Sequence, residues 1–383
     1  MHTTPEQRLS QRTAASRTPP GAWRNTRLNA AAADQKVDQF QTGPASSDFM
    51  QERMDFLKAD MKHLFDDQGV DKSQYDEKVD FRDPITKYGS ISGYLFNISM
   101  LKVVFAPIFE LHDLRQTAEH EITTRWTMTM KFTLNKYSPI KKWWSPVLVF
   151  TGISIMGINP KNGKVNKHLD AWDAIKNQEF FSFEGFKHVL SQMLTTQKIP
   201  DLDGPKFQIM KKMKTYEIRR YDPFTVAETD MGSAPTGQES GSGPKGSKEG
   251  ETAFGRLAGY IFGKNSRQEK MSMTAPVFSH PSGRLQFVMD KAHQEISQLP
   301  KPETDAVELK NMPGGFFAAK IFSGAAKPDV VKQQEASLRQ SLRQDGVPID
   351  TDEYLLARYN DPSTMAVQRR NEVLIPINDF SLW

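Results

Sequence analysis

The sequence predicts an α+β fold in two domains: a cone-like unit of one helix and a curved antiparallel sheet, then a barrel-like antiparallel sheet carrying two helices. Three observations carry this. Apolar residues recur at helical spacing over 47–65, and the stretches that follow alternate with a period of two. The stretch TTQKIPDLDGP at 195–205 has the Pro, Gly and Asp content of a linker and separates two complete sets of elements. In the second set, a strand–helix–strand–strand order occurs twice, a weak internal repeat.

Composition sets the outer bounds. The chain has 383 residues, 38% of them hydrophobic, including 24 Phe, enough for two cores. Its formal charge of +4 is concentrated at one end: residues 1–33 hold five arginines, one glutamate and no lysine, leaving 45 bases and 45 acids elsewhere. The remainder is neutral, which argues against a nucleic-acid partner. With no cysteine, disulfides, iron–sulfur clusters, thiolate haem ligation and covalent haem attachment are excluded. No run of 18 apolar residues occurs, so no transmembrane helix is expected.

Taken in order, residues 1–46 read as a targeting or disordered segment. Met1–Gln39 is rich in Arg, Ser, Thr, Ala and Pro, poor in acids, and has no apolar core of a secretory signal, which points to an organelle presequence, plastid rather than mitochondrial. The first domain spans 47–194. Phe49, Met54, Phe56, Leu57, Met61, Leu64 and Phe65 define its opening helix. Val79 and Phe81 alternate in a strand stopped by Asp83-Pro84, and Gly93–Phe109 reads as a buried helix or a helix plus strand. Three strands follow: Ile122–Leu134, with Trp126, Met128, Met130 and Phe132 on one face and mostly Thr, Arg and Lys on the other; Val147–Ile158, apolar on both faces and hence central, with Gly152 as a bulge; and Val165–Trp172, placing Asn166, His168, Asp170 and Trp172 on one face. Phe180–Leu194 closes the domain as a helix.

The second domain spans 206–383. Strands broken at Asp222-Pro223, a helix at Ala253–Phe262 and strands Met271–Ser279 and Leu285–Asp290 form one unit. Strands over Val307–Ser323 broken at Met312-Pro313, a helix Pro328–Gln344 ended by Gly346 and strands Tyr354–Tyr359 and Glu372–Ile377 form the other. The Gly- and Ser-rich stretch within 232–250 cannot bury apolar surface and reads as a flexible loop.

The helix at 253–262 is the focus of the second domain. Phe254, Leu257, Ala258 and Ile261 make its apolar stripe, while Gly255 and Gly259 lie one turn apart on a flank. Each glycine costs a helix interior about 1 kcal/mol relative to alanine, so the pair implies close approach by a backbone or a flat ligand.

Four motifs accompany this helix: Tyr-Glu-x-Arg-x-Tyr at 216–221, Tyr-Ile-x-Gly-x-Asn at 260–265, Met-Thr-Ala-Pro-Val at 273–277 and Arg-Asn-Glu-Val at 370–373. In this order they resemble the SOUL haem-binding protein family from about Lys206 to the C-terminus. FRDP at 81–84, TRW at 124–126 and HLDAWD at 168–173 are similar to an uncharacterised domain that precedes the SOUL domain in plant and algal proteins, and the first set's element order resembles the nuclear-transport-factor-2-like cone. The resemblance implies a tetrapyrrole ligand, haem or a relative, held noncovalently, and places the Arg-Asn-Glu-Val segment near its pocket.

A tetrapyrrole is an apolar plate with carboxylates on one edge, so its receptor needs a flat groove and cations at the rim. Phe254, Gly255, Ala258, Gly259 and Phe262 supply the groove, and Arg256, Arg369 and Arg370 are the rim candidates. His280 and His293 lack a recognisable ligand context, and methionines such as Met271 and Met273 default to core packing, so burial rather than an axial bond is expected to hold the ring. No metal motif is present. In the first domain His168, Asp170 and Asp83 are candidates for a general acid and base inside the cone. The expected function is noncatalytic tetrapyrrole binding, carriage or buffering in the plastid, with peripheral association to plastid membranes or lipid droplets (plastoglobules). The alternatives are an enzyme in the cone with the second domain as its tetrapyrrole module, and a structural protein of plastid lipid droplets.

Overall fold

The computed structural model describes residues 47–133, 146–175, 182–194, 200–232 and 252–383. The expected targeting segment, part of the linker and nearly all of the loop 232–250 lie outside the described residues.

In the first domain α1 (Ser47–Asp60) leads into a single 3₁₀ turn, Met61–His63. Met50, Leu57 and Leu64 pack against Val79, Phe81, Ile122, Met156 and Ile158, and the other apolar residues expected to face the core lie at or beside the same cluster. β1 (Tyr75–Arg82) ends at Asp83, whose carboxylate accepts the N–H groups of Ile85 (2.7 Å) and Thr86 (2.5 Å), making the turn into β2 (Lys87–Tyr88). Residues 93–109 divide between α2 (Ile91–Val104), capped by Ser90, and β3 (Phe105–Ala118); α2 turns Phe96, Met100 and Val103 outward. With β4 (Glu121–Phe132), β5 (Val147–Ile158) and β6 (Val165–Trp172) these strands form one sheet in the order β2-β1-β6-β5-β4-β3, antiparallel except for β1–β6. α3 (Phe183–Met193) closes on β5, where the Gln192 amide pairs with both backbone groups of Val149 at 2.8 and 3.1 Å.

Two details differ from the sequence reading. Gly152 is in regular register between Trp126 and Trp172. A Cβ there would lie 2.2 Å from the Ala171 carbonyl oxygen, so it is glycine for close packing and not for a bulge. The irregularity falls instead at Gly157/Ile158, opposite Asn166, and it shifts the alternation of β6. His168 and Trp172 are therefore buried while Asn166 is turned against Gly157 on the other face.

The second domain is a nine-stranded antiparallel sheet in the order β12-β9-β11-β10-β14-β15-β13-β8-β7. Its strands are β7 (Phe207–Lys212), β8 (Glu217–Tyr221), β9 (Phe224–Asp230), β10 (Val277–Ser279), β11 (Arg284–Val288), β12 (Glu308–Met312), β13 (Gly315–Phe322), β14 (Leu355–Arg358) and β15 (Asn371–Ile377). The repeat is visible in this order. The units β8-β9-α4-β10-β11 and β12-β13-α5-β14-β15 meet at the β10–β14 pair, and each gives its first strand to the far edge of the other. α4 (Ala253–Ile261) covers β9 and β11, and α5 (Pro328–Gln344) covers β13 and β15. The opposite face of the sheet carries a third cluster around Tyr221, Val226, Phe278, Ala319 and Leu374.

The expected strand Met271–Ser279 is shorter than the alternation suggested. Residues 271–276 run irregularly because other groups take their hydrogen bonds: Met271 N–H goes to Ile261 O, Ser272 N–H to Asp290, Thr274 Oγ1 to Val288 O and Ala275 N–H to Asp203 O.

β7, not anticipated from the sequence, also joins the domains. It crosses the Thr-, Arg- and Lys-bearing face of β4, so Thr123, Arg125 and Thr127 are buried. Arg125 donates to both Asp173 oxygens at 2.8 and 2.5 Å and to Met210 O at 3.2 Å, Thr127 Oγ1 donates to Ile209 O, and Lys212 N–H donates to Thr151 Oγ1.

Candidate functional site

α4 is built so that one side enters the core and the other stays accessible. Thr252 caps it, its hydroxyl accepting the Gly255 N–H at 3.0 Å. It ends in a paired turn, with Lys264 N–H on Gly259 O (2.9 Å) and Gly263 N–H on Tyr260 O (3.4 Å); this needs Gly263 at φ +111°. Leu257, Tyr260 and Ile261 are buried, the Tyr260 hydroxyl donating to Pro300 O at 2.9 Å, and Phe254 meets the Phe287 ring edge-on at 5.2 Å. Met271 and Met273 belong to the apolar cluster beneath the helix.

Gly255, Ala258 and Gly259 are only half-buried, and Phe262 beside them is 54% exposed. The atoms nearest an added Gly259 Cβ all belong to the Lys264 side chain. The nearest atom to an added Cβ is Lys264 Cδ at 3.1 Å, a flexible stem lying across the glycine. Tight helix–sheet packing thus does not explain Gly259, and among the described residues the Lys264 side chain is what lies nearest it. Lys264 adds an exposed ammonium that the sequence reading missed; only the helix C-cap, which turns residue 264 back over Gly259, could have signalled it.

The three arginines are placed differently. Arg256 reaches the end of β9, donating from Nε to Thr229 Oγ1 at 3.0 Å and from Nη2 to Asp230 O. Arg369 donates to Thr364 O and Pro362 O. Arg370 pairs with Glu372 through Nε at 2.7 Å and lies over the Tyr359 ring. Arg369 and Arg370 precede β15, which β10 and β14 separate from β11 under α4. The structure therefore does not bring Arg369 and Arg370 to the glycine strip, and their hydrogen bonds tie them to their own loop and strand.

What Arg370 joins is a buried network uniting two of the four motifs. Arg219 is fully buried, contacts Glu217 (2.8 Å) and Glu372 (2.6 Å), donates to Tyr221 Oη (3.1 Å) and stacks over Phe207 at 4.5 Å. Burial alone would raise the Glu372 carboxyl's pKa, but Arg219 and Arg370 outweigh it and hold it below the ordinary range. Lys212 and Arg219 do the same for Glu217.

The two histidines of this domain are placed differently. His293 is held at both ring nitrogens, by Asp290 (2.6 Å) and Glu269 (2.9 Å). His280 ends the turn after β10, its backbone N–H on Arg284 O. The described residues contain no cluster of three or more metal-binding side chains.

In the first domain, the structure brings His168, Asp170 and Asp83 together. His168 Nε2 lies 2.9 Å from Asp170 Oδ1, which also accepts from Ser154 Oγ, itself bonded to Trp126 Nε1. The His168 ring is packed edge-on against Phe81 and Tyr94 at 5.1 and 5.3 Å, and its Nδ1 is buried without a hydrogen bond. Burial, opposed by the Thr86 hydroxyl and reinforced by the Asp170 charge, raises Asp83 to about 6.

Residues 202–376 match the family described as SOUL heme-binding protein, and residues 51–168 match an uncharacterized conserved family, DUF2358. Residues 202–376 form a SOUL domain. Human Heme-binding protein 2 is 26% identical over 184 residues, 46% of this chain and 82% of its own length; Heme-binding protein 1 of Xenopus tropicalis is 28% identical over 166 residues, 41% and 81%. Similar solved structures include an NTF2-like protein of unknown function from Exiguobacterium sp. 255-15, at 17% identity and a TM-score of 0.24 over 33% of this chain and 99% of that one. A further one is an M. tuberculosis LEH-like epoxide hydrolase, at 9% identity and a TM-score of 0.27 over 38% and 94%. α4, the glycine strip and the Arg219–Glu372 network all lie within the SOUL domain.

Proposed function

We propose that the chain binds haem or a related tetrapyrrole noncovalently on its SOUL domain, as a noncatalytic carrier or buffer of the plastid. The observation that carries this is the outward side of α4, where Gly255, Ala258 and Gly259 are half-buried beside the exposed Phe262 and, among the described residues, the atoms nearest an added Gly259 Cβ are those of the Lys264 stem. The names of the curated relatives point the same way. The residues fit an apolar plate with acidic edges: the strip takes the ring face, and Lys264, with Arg256 at the other end of the helix, offers positive charge to the carboxylates. When bound, the tetrapyrrole supplies the light absorption and any redox chemistry. The chain's contribution is to shield one face of the ring and fix its edge.

The test is a titration of the full chain with haem and with metal-free protoporphyrin. Burial-dominated binding predicts affinities within about tenfold of each other, about 1.4 kcal/mol. Gly259→Leu should weaken both ligands together and Lys264→Ala both by less. A metal-free ring that binds hundreds of times more weakly, or affinity abolished by His280→Ala, would show that an axial bond dominates. For the plastid assignment, a reporter fused behind Met1–Gln39 should enter plastids, and mitochondrial or cytosolic signal would defeat it.

Peripheral association with plastid membranes or lipid droplets has its own support in α3. Phe183, Phe186, Leu190 and Leu194 form an outward apolar stripe, and Phe183 is 81% exposed. Lys187 borders the stripe on the same helix, a pattern suited to an anionic lipid surface. Co-sedimentation with anionic vesicles should be lost in Phe183→Ser/Phe186→Ser; retention by that variant removes the reading.

A further inference from the structure

Where α3 faces the β7–β8 hairpin, a cavity of about 390 Å³ opens between the two domains, within the usual range of small-molecule sites. One wall is the polar side of α3, with Glu184, Lys187 and His188; the other carries Lys212 and Lys214. Its apolar lining comes from Met213, Tyr216, Ala319 and Ile321 of the SOUL domain and Ala174 of the first.

Among the described residues, the charges do not cancel within the cavity. Glu217 already takes Lys212 at 2.5 Å and Arg219 at 2.8 Å. Glu184 meets Lys214 only at 3.9 Å, with the lysine 69% exposed. Lys187 has no ion-pair partner among the described residues. Three ammonium groups thus face two carboxylates, one of which is shared with a buried guanidinium. His188 responds to this field. Burial first, then Lys212 and Lys214, push its pKa down to about 4, leaving a neutral imidazole, with Nε2 3.0 Å from the Gln192 amide.

We propose that this interdomain cavity is a second ligand site, distinct from the α4 strip, that takes an organic acid. A carboxylate or phosphate head sits among Lys187, Lys212 and Lys214, and a short apolar body lies on Met213, Tyr216, Ala319 and Ile321. Because the two walls belong to different domains, the ligand bridges them and adds to the β7 contacts. The site does not depend on tetrapyrrole binding.

Calorimetric titration of the full chain with octanoate, octyl phosphate, octanol and inorganic phosphate tests it. At least one of the two octyl acids should bind saturably, about tenfold or more tighter than octanol and than inorganic phosphate; which one does so identifies the head group. Lys187→Glu and Lys214→Glu, both at exposed positions, should each weaken the acids several-fold and leave octanol unchanged. Ser191→Trp should block the cavity mouth, and Gly259→Leu should leave acid binding intact. Absence of saturable binding, octanol or inorganic phosphate binding as well as the acids, or acid binding indifferent to the lysine variants would each overturn the proposal.

Discussion

Arg219 and Glu372, 153 positions apart, meet through Nη1–Oε2 at 2.6 Å and Nη2–Oε1 at 3.1 Å with neither side chain exposed to solvent. The pair fastens β8 to β15 across β13, and Arg370 and Tyr359 complete the carboxylate's shell. Removing one partner leaves the other in a dry site with only part of its shell, Glu217 for Arg219 or Arg370 and Tyr359 for Glu372, so Glu372→Gln or Arg219→Met should cost up to roughly 3–5 kcal/mol. The double variant should cost less than the sum of the two. Urea unfolding of the three proteins checks this, and additive losses would mean that the two side chains are not coupled.

Gly259 separates helix stability from ligand access. Only the movable Lys264 stem meets an added Cβ, so Gly259→Ala should stabilise the chain by up to about 1 kcal/mol through helix propensity. Gly259→Leu should leave the melting temperature near that of the parent while impairing tetrapyrrole binding. Marked destabilisation by alanine would show that the position is sterically closed.

Asp83 carries a pH signature. Its native pKa of about 6 lies above the ordinary 3.8, so the native state holds the proton more tightly than the unfolded chain. This stabilisation is complete below about pH 4 and is lost as pH rises through about 6, to the order of 3 kcal/mol. Burial raises Asp60 as well, in the same direction, so the contribution of Asp83 is read as the difference between parent and variant. Asp83→Asn should flatten the fall in unfolding free energy between pH 4 and 7 and be the more stable protein at pH 7.5. Identical slopes for the two would refute the assignment.

The Arg125–Asp173 pair, with Arg125 also on Met210 O, joins the first domain's sheet to β7 of the SOUL domain. Heating the parent should give one calorimetric transition, and Arg125→Leu should split it into two as the interface loosens. Two transitions in the parent would show that the domains unfold independently despite these contacts.

The sequence by itself determined the elements and their duplication, because those follow from short-range physics. The period of the apolar residues, the prolines at 223 and 313 that interrupt strand pairs and the glycine at 346 that ends α5 each act within a few residues. It also marked α4 and its two glycines, since a helix-breaking residue repeated one turn apart is costly wherever it occurs. Tertiary structure alone decided what the polar residues do. Arg370 could have reached a ligand or Glu372, and only the pairing of β15 with β13 and β14, which sets it at the buried carboxylate, settles the choice. The alternation of β4 left Thr123, Arg125 and Thr127 on a face that reads as solvent-exposed until β7, from a segment more than 80 residues later, covers it. Asn166 and His168 share a face on an ideal strand, and a single irregularity opposite Gly157 sends them apart. In each case the side chain's local preference is satisfied by several partners, and the partner it finds is set by contacts between segments far apart in the chain.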